Sequence, residues 1–288
     1  MTPSRRGVIL GAGATLAAGA VPEIAPAGSL QTDRLALNGQ WRQGGFAMGR
    51  TAPRTPIFVD GVQMTTASAQ GLFVIGFDRD APASTTITAG SGPTAVSRTL
   101  DIAAGTFPSS RIDGLPPATI EPSDPALLER IRREAEEKAV GFASDADTDD
   151  FKDGFAWPLT RYRVSSLWGA QRVLNGTPAR PHYGIDLAAP QGTPILSPAA
   201  GTVVFSRGGM HFEGGLVLID HGQGLITAYL HQSQIDAGVG QRLARGEVIG
   251  RVGMEGRATG PHLCWRMRWR DRNLDPSLMV GTAAPEAA

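Results

Sequence analysis

Short apolar runs separated by turns fill the N-terminal part of the chain. The two runs within Ile57 to Met64 flank Asp60-Gly61, a dipeptide typical of the turn of a β-hairpin. Three further runs have strand character: Leu72 to Phe77, Thr85 to Thr88, and Val96 to Ile102. Turn signals recur about every 8–12 residues, as in a small β-sandwich. We therefore predict an N-terminal β-sandwich over residues 30–120, without a titratable cluster.

A helical period follows, and it predicts a connecting helix and an acidic linker over residues 121–153. Ser123 is the predicted N-cap, with Asp124 and Pro125 in the first turn. Gly141 is the predicted stop, and the acidic stretch 144–153 is typical of a solvated linker. The predicted buried stripe recurs every four residues and comprises Leu127, Ile131, Ala135 and Ala139.

Strand signals return over residues 154–282, which we predict to be an all-β domain. Leu216 to Asp220 and Leu225 to His231 flank the turn 221–224 and predict a long hairpin. Gly201 to Phe205 predicts another strand between two turns. The predicted fold class is mainly β, with one helix joining a small sandwich to the C-terminal domain.

Charge is unevenly distributed along these 288 residues, although the formal net charge is zero. Residues 1–153 carry 14 basic and 18 acidic residues, and residues 154–288 carry 13 basic and 9 acidic ones. The mild excess of basic residues in the C-terminal part suits an anionic polymer such as a bacterial wall, and it suits a solubilising surface equally well. A dense Lys/Arg stripe interleaved with aromatic residues is absent, so we do not expect a nucleic-acid partner.

The first 27 residues have the pattern of an export signal. Arg5 and Arg6 precede the apolar run Gly7 to Val21, which is too short for a stable membrane anchor. The arginine pair is typical of a twin-arginine signal, and an ordinary secretory signal is the alternative. No later segment has 18 consecutive apolar residues. We therefore expect a mature chain without an integral membrane segment, in the periplasm or cell envelope.

The candidate chemistry lies in three short segments, and all five histidines fall between His182 and His262. In the first segment His182 and Asp186 flank Gly184, which lets the backbone turn sharply so that both side chains can meet one ion. The second segment ends on His231, at the end of the predicted hairpin. His211 and His221 are predicted to have structural roles.

The third segment, His262 to Trp269, alternates strictly between apolar and polar positions. In a strand this alternation puts His262 and Cys264 on one face. Cys264 is the chain's single cysteine and cannot form an internal disulfide, so metal binding would explain its presence in an exported protein. Arg266 and Arg268 share that face, where they either meet substrate carboxylates or form a solvated edge.

From about Phe155 to Leu278 the sequence resembles the LytM or lysostaphin-type zinc metallopeptidases. Several spaced motifs carry the resemblance: His182-x-x-x-Asp186, Gly192-Thr193-Pro194, Asp220-His221-Gly222-x-Gly224-Leu225, Tyr229-x-His231, Gly260-Pro261-His262-Leu263 and Asp275-Pro276. The resemblance implies an all-β enzyme that hydrolyses peptide bonds in peptidoglycan stem peptides or cross-bridges. It implies Zn²⁺ ligands at His182, Asp186 and position 264, with His231 and His262 as the catalytic histidines.

Position 264 departs from the family pattern, because the family has histidine where this chain has Cys264. Three interpretations follow: the thiolate replaces imidazole as a ligand, the metal is lost, or zinc binds without turnover. We favour the first, because zinc accepts thiolate readily and a decaying site would also lose other site residues. The competing hypothesis is a non-catalytic module that binds peptidoglycan or activates another wall hydrolase.

Overall fold

The computed structural model describes residues 28–30, 34–114, 120 and 122–286, so the predicted export signal over residues 1–27 lies outside the described residues. Within that described part, no helix is both long and apolar enough to cross a membrane. Strand residues far outnumber helical residues in the described chain, and the prediction of a mainly β fold with one substantial helix is confirmed.

The described N-terminal part contains the strands β1 (Gly28–Leu30), β2 (Ala36–Gln40), β3 (Phe46–Arg50), β4 (Pro56–Val59), β5 (Val62–Thr66), β6 (Leu72–Gly76), β7 (Ser84–Ala89), β8 (Val96–Asp101) and β9 (Ser109–Ile112). All but β9 form two four-stranded antiparallel sheets, in the orders β1-β2-β3-β6 and β5-β4-β7-β8. The predicted hairpin is confirmed, since β4 and β5 pair around Asp60 and Gly61, both of which have positive φ.

The C-terminal part is built around a large sheet in the order β10-β13-β21-β17-β16-β15-β19, with β22 beside β21. Its strands are β10 (Arg163–Ser166), β11 (Gln171–Leu174), β12 (Thr177–Pro178), β13 (Ile185–Ala188), β14 (Pro194–Leu196), β15 (Gly201–Met210), β16 (Gly214–Asp220), β17 (Leu225–Gln232), β18 (Gln234–Ile235), β19 (Arg242–Leu243), β20 (Val248–Arg251), β21 (His262–Trp269) and β22 (Arg272–Leu274). Short 3₁₀ turns cover Gly92–Thr94 and Pro276–Met279. The predicted hairpin of β16 and β17 is confirmed.

A single apolar cluster joins the N-terminal sheets to one end of the large sheet. Phe46 and Phe73 belong to the same buried cluster as Met267, Trp269 and Leu274. In addition, β9 pairs in parallel with β11, so the N-terminal part also contributes a strand to the β11-β12 hairpin. The division of the chain at residues 120 and 153 stays a prediction, and the shared cluster predicts that the two parts unfold together.

The helix α1 (Pro125–Phe142) differs from its prediction in its cap and its buried face. Asp124, not Ser123, is the N-cap, and its carboxylate accepts a hydrogen bond from the backbone N–H of Ala126. The helix passes through the buried Gly141, where a Cβ would meet Leu218.

The predicted stripe is wrong at its C-terminal half, because Ala135 and Ala139 are exposed. The buried face instead runs through Glu134, which accepts hydrogen bonds from Arg130 and from the backbone N–H of His211. Contacts with the large sheet therefore override the apolar period of four.

Candidate metal centre

Strand register brings the predicted site together across four neighbouring strands of the large sheet. Ser166 of β10 lies opposite Asp186 of β13, Asp186 lies opposite Cys264 of β21, and Cys264 lies opposite Leu230 of β17. His231 follows Leu230 directly. A slip of one residue between β13 and β21 would turn Asp186 or Cys264 to the opposite face. His231 departs from the strand alternation, because its backbone is left-handed with φ of +66°.

Three predicted ligand side chains converge on one point. His182 Nε2 lies 3.3 Å from Cys264 Sγ and 3.1 Å from Asp186 Oδ1. One donor atom from each of the three residues lies within 4.8 Å of the other two. All three residues are buried, with Cys264 only 1% exposed. A nitrogen, an oxygen and a sulfur donor at this spacing are a set that zinc accepts.

The hydrogen bonds around these side chains leave their inner atoms available for a metal. Asp186 Oδ1 is buried and has no hydrogen-bond partner among the described residues. The outer nitrogen of His182, Nδ1, lies 3.1 Å from the Ser166 hydroxyl, which orients the ring. Burial opposes charge on Asp186, but the nearby His182 outweighs that effect and lowers the carboxyl pKa. The residues present therefore fit a zinc ion, and they would hold it through His182 Nε2, Asp186 and Cys264 Sγ.

His231 and His262 lie beside this cluster, and backbone carbonyls determine which nitrogen of each ring carries the proton. Their rings are 4.7 Å apart between centroids, and His262 Nε2 lies 3.7 Å from Asp186 Oδ1. Each Nδ1 lies 2.8 Å from a carbonyl oxygen, that of Glu255 for His231 and that of Gly260 for His262. A carbonyl only accepts, so each Nδ1 carries a proton and each neutral ring presents a lone pair at Nε2.

Burial also keeps these two rings uncharged at neutral pH. It lowers the pKa of His231 to about 4, and it lowers the pKa of His262 as well. Both rings are therefore proton acceptors in the resting site.

Three arginines near the predicted strand face have different surroundings. Arg266 Nε donates to Cys264 Sγ at 3.4 Å, whereas Arg268 lies over the ring of Phe142, 4.7 Å from its centroid. Arg172 of the β11-β12 hairpin lies 3.5 Å from Asp186 Oδ2. The sequence does not predict the contacts of Arg172 and Ser166, because a single arginine or serine belongs to no recognisable motif. It does not predict the two carbonyl contacts either, because every residue has a backbone carbonyl.

His221 has the structural role predicted for it. The ring is fully buried, Nδ1 donates to the carbonyl of Ala200 at 2.6 Å, and Nε2 accepts from the Thr227 hydroxyl at 2.7 Å. The Tyr229 hydroxyl lies 2.8 Å from the same Thr227 oxygen. This network belongs to the interior of the sheet, apart from the metal cluster. His211 lies in the turn after β15, with its ring in an edge-to-face contact with Phe212.

We predict that His221 makes the protein sensitive to mild acid. Burial lowers its pKa to about 4 in the folded protein, whereas the unfolded value is about 6.5. The unfolded chain therefore binds the proton first, so stability is complete above about pH 6.5 and falls as the pH drops towards 4, by roughly 3 kcal/mol.

The test compares denaturant unfolding of the wild-type protein and His221→Gln at several pH values. Glutamine can keep both hydrogen bonds but does not titrate, so the variant should lose less stability across this range. Equal losses in the two proteins would contradict the assignment.

Comparison with known proteins gives one family and several relatives. Residues 180–276 match the model of peptidase family M23. A Vibrio cholerae protein named peptidoglycan DD-endopeptidase ShyA is 40% identical over 134 residues, which cover 46% of this chain and 31% of that protein. A Neisseria meningitidis protein named DD-carboxypeptidase/endopeptidase Mpg is 40% identical over 129 residues, which cover 45% of this chain and 29% of that protein.

Among solved structures, a crystal structure from Pseudomonas aeruginosa described as a peptidase M23 is similar over most of the chain. It has 28% sequence identity and a TM-score of 0.63, and the match covers 84% of this chain and 95% of that one. The matched segments span less than a third of the length of the two named relatives. The similarity to the crystal structure, in contrast, extends beyond the M23 match into the N-terminal part.

Proposed function

Because residues 180–276 form a peptidase family M23 domain, we propose that this chain is a zinc-dependent endopeptidase of the cell wall. It would hydrolyse peptide bonds in peptidoglycan stem peptides or cross-links. The observation that carries the proposal is the convergence of His182, Asp186 and Cys264 on one buried point, beside two neutral histidines. The name of the Vibrio cholerae relative supports peptidoglycan as the substrate, and the names of both relatives support endopeptidase activity.

The residues of the proposed site form two groups, one that would bind the metal and one that would transfer protons. His182, Asp186 and Cys264 would hold the ion, and three protein ligands would leave a position for water or substrate. When bound, zinc supplies Lewis acidity that polarises a carbonyl and makes a water molecule more acidic. His231 or His262 accepts the proton of the attacking water at Nε2, and the protonated ring returns it to the leaving amine. The other histidine would stabilise the tetrahedral oxyanion after taking up a proton from solvent at Nε2, and it would return that proton to solvent when the oxyanion collapses.

Substrate class and location are proposed together. A wall substrate requires that the chain leave the cytoplasm, in agreement with the export signal predicted over residues 1–27. We place the mature protein in the periplasm or cell envelope, with peptidoglycan peptides as its partners. Within this proposal, Arg5 and Arg6 favour export by the twin-arginine route over an ordinary secretory signal.

Cys264 keeps a second candidate function open. A cysteine where the family has histidine also suits a module that binds peptidoglycan, or activates another wall hydrolase, without cutting peptide bonds. The two functions differ in one observable: whether the purified full chain releases new peptide ends from the wall.

The test is digestion of purified peptidoglycan by the full chain, with mass spectrometry of the soluble products. A generic unfolded protein serves as a parallel substrate. We expect new amino and carboxyl ends within stem peptides or cross-links, suppressed by a chelator and restored by zinc. Cleavage of the generic protein alone would redirect the proposal to a secreted protein substrate. A folded, zinc-loaded protein that leaves both substrates intact would overturn it.

A further inference from the structure

Cys264 and Arg266 form a contact within one strand that the metal cluster alone does not explain. The two residues are two positions apart on β21, so both side chains project from the same face. Arg266 Nε donates a hydrogen bond to Cys264 Sγ at 3.4 Å. The sulfur thus has His182 Nε2 on one side, at 3.3 Å, and a guanidinium on the other.

Packing holds this contact in place. Gly184 lies between the two ligands His182 and Asp186, and a Cβ at this position would come within 2.8 Å of both Cys264 Sγ and Arg266 Cγ. Only glycine therefore allows the thiol and the arginine stem to lie this close to the backbone between the ligands. The segment that supplies His182 and Asp186 is thus in direct contact with the Cys264–Arg266 pair.

The charge of the proposed ligand set gives a physical reason for this contact. A thiolate in place of an imidazole makes the ligand set more negative by one charge, which increases electron donation to the ion. A guanidinium that donates to the sulfur offsets that charge, and such charge-assisted hydrogen bonds are stronger than neutral ones.

We propose that Arg266 is a positioning residue for the metal ligand Cys264, and that the two residues together replace the single histidine found at position 264 in the family. The inference rests on the proposed zinc site. Arg266 orients the sulfur through its Nε–H and balances the added negative charge. Arg268, two positions further along the strand, has no such role, because it lies over the ring of Phe142.

A substrate-binding role for Arg266 leads to a different expectation. An arginine that binds a substrate carboxylate would act in the same way whether position 264 is cysteine or histidine. An arginine that supports the thiolate would matter only when the thiolate is present. A double-mutant cycle with Arg266→Gln and Cys264→His separates these two roles.

The experiment measures Zn²⁺ affinity of the full chain by competition with a chromophoric chelator, in the wild type, both single variants and the double variant. We expect Arg266→Gln to weaken Zn²⁺ binding about 10-fold in the Cys264 protein and to change it little in the Cys264→His protein. Arg268→Gln is the matched control and should bind Zn²⁺ like the wild type.

Cobalt(II) in place of zinc gives a second readout, independent of activity. The sulfur-to-cobalt charge-transfer band should shift in Arg266→Gln, remain in place in Arg268→Gln, and be absent from both Cys264→His proteins. Arg266→Lys, which keeps the charge but loses the rigid fork, should lie between Arg266→Gln and the wild type.

Two results would overturn the inference while the proposed function stands. The first is an equal loss of affinity on Arg266→Gln in the wild-type and the Cys264→His backgrounds. The second is a cobalt band that Arg266→Gln leaves unchanged. A wild-type protein that binds neither ion would overturn the proposed function as well.

Discussion

Replacing Cys264 with alanine is expected to abolish both zinc binding and lysis of peptidoglycan. The substitution removes one of the three proposed ligands at a buried point where no other described His, Cys, Asp or Glu joins the cluster. We expect zinc content to fall from about one ion per chain to a trace, and activity to fall more than about 100-fold, since even outer partners of a metal site cost 10- to 100-fold. Metal analysis and wall lysis of the same preparations provide the measurement.

Cys264→His is the matched variant for this prediction, because imidazole also ligates zinc and restores the family pattern. It should retain zinc and retain or raise lysis, since a neutral ligand donates less charge to the ion. Far-ultraviolet circular dichroism and thermal unfolding establish that each variant folds. Full zinc content and lysis in folded Cys264→Ala would show that the sulfur is not a ligand.

Removing the imidazole of His231 is expected to slow turnover without loss of zinc. His231 is not one of the three proposed ligands, and its Nε2 lone pair is available because Nδ1 donates to the carbonyl of Glu255. Its backbone is left-handed, with φ of +66°, so asparagine is a better replacement than alanine. We expect His231→Asn to lower kcat by about 10²- to 10⁴-fold, the usual contribution of general acid–base catalysis.

The control for His231→Asn is His211→Asn, which alters a histidine of the same domain whose ring makes an edge-to-face contact with Phe212. That variant should keep its lytic activity. Zinc content should match the wild type in both variants. Wild-type kcat in zinc-loaded His231→Asn would remove His231 from the mechanism and leave His262 as the proton acceptor.

The parts of the site that lie on regular strands could be predicted from the sequence. The alternation from His262 to Trp269 correctly placed His262 and Cys264 on one face, because the side-chain period of a strand is fixed at two. The side-chain period alone does not show which other strand pairs with β21. The pairing of Asp186 with Cys264 joins residues far apart in the sequence. The family motifs imply that both residues are ligands, but they do not predict that the two strands pair.

The parts that depend on tertiary contacts could not be predicted. Arg172 reaches Asp186 from a hairpin that also pairs with β9 of the N-terminal part, a connection with no sequence signal. The predicted buried stripe of α1 was wrong for the same reason, because contacts with the large sheet decide which face of the helix is buried. Glu134 can be buried only because Arg130 and the backbone N–H of His211 donate hydrogen bonds to it. The spacing of apolar residues along the helix does not indicate such hydrogen-bond partners.

X-ray absorption at the zinc edge of the purified full chain reports the atoms bound to the ion, and so shows whether Cys264 is a ligand. We predict one sulfur neighbour at about 2.3 Å together with nitrogen and oxygen neighbours at about 2.0–2.2 Å. In Cys264→His the sulfur neighbour should disappear while the lighter ones remain. A wild-type spectrum with only nitrogen and oxygen neighbours would contradict ligation by Cys264, and a folded protein that retains no zinc would contradict the metal centre itself.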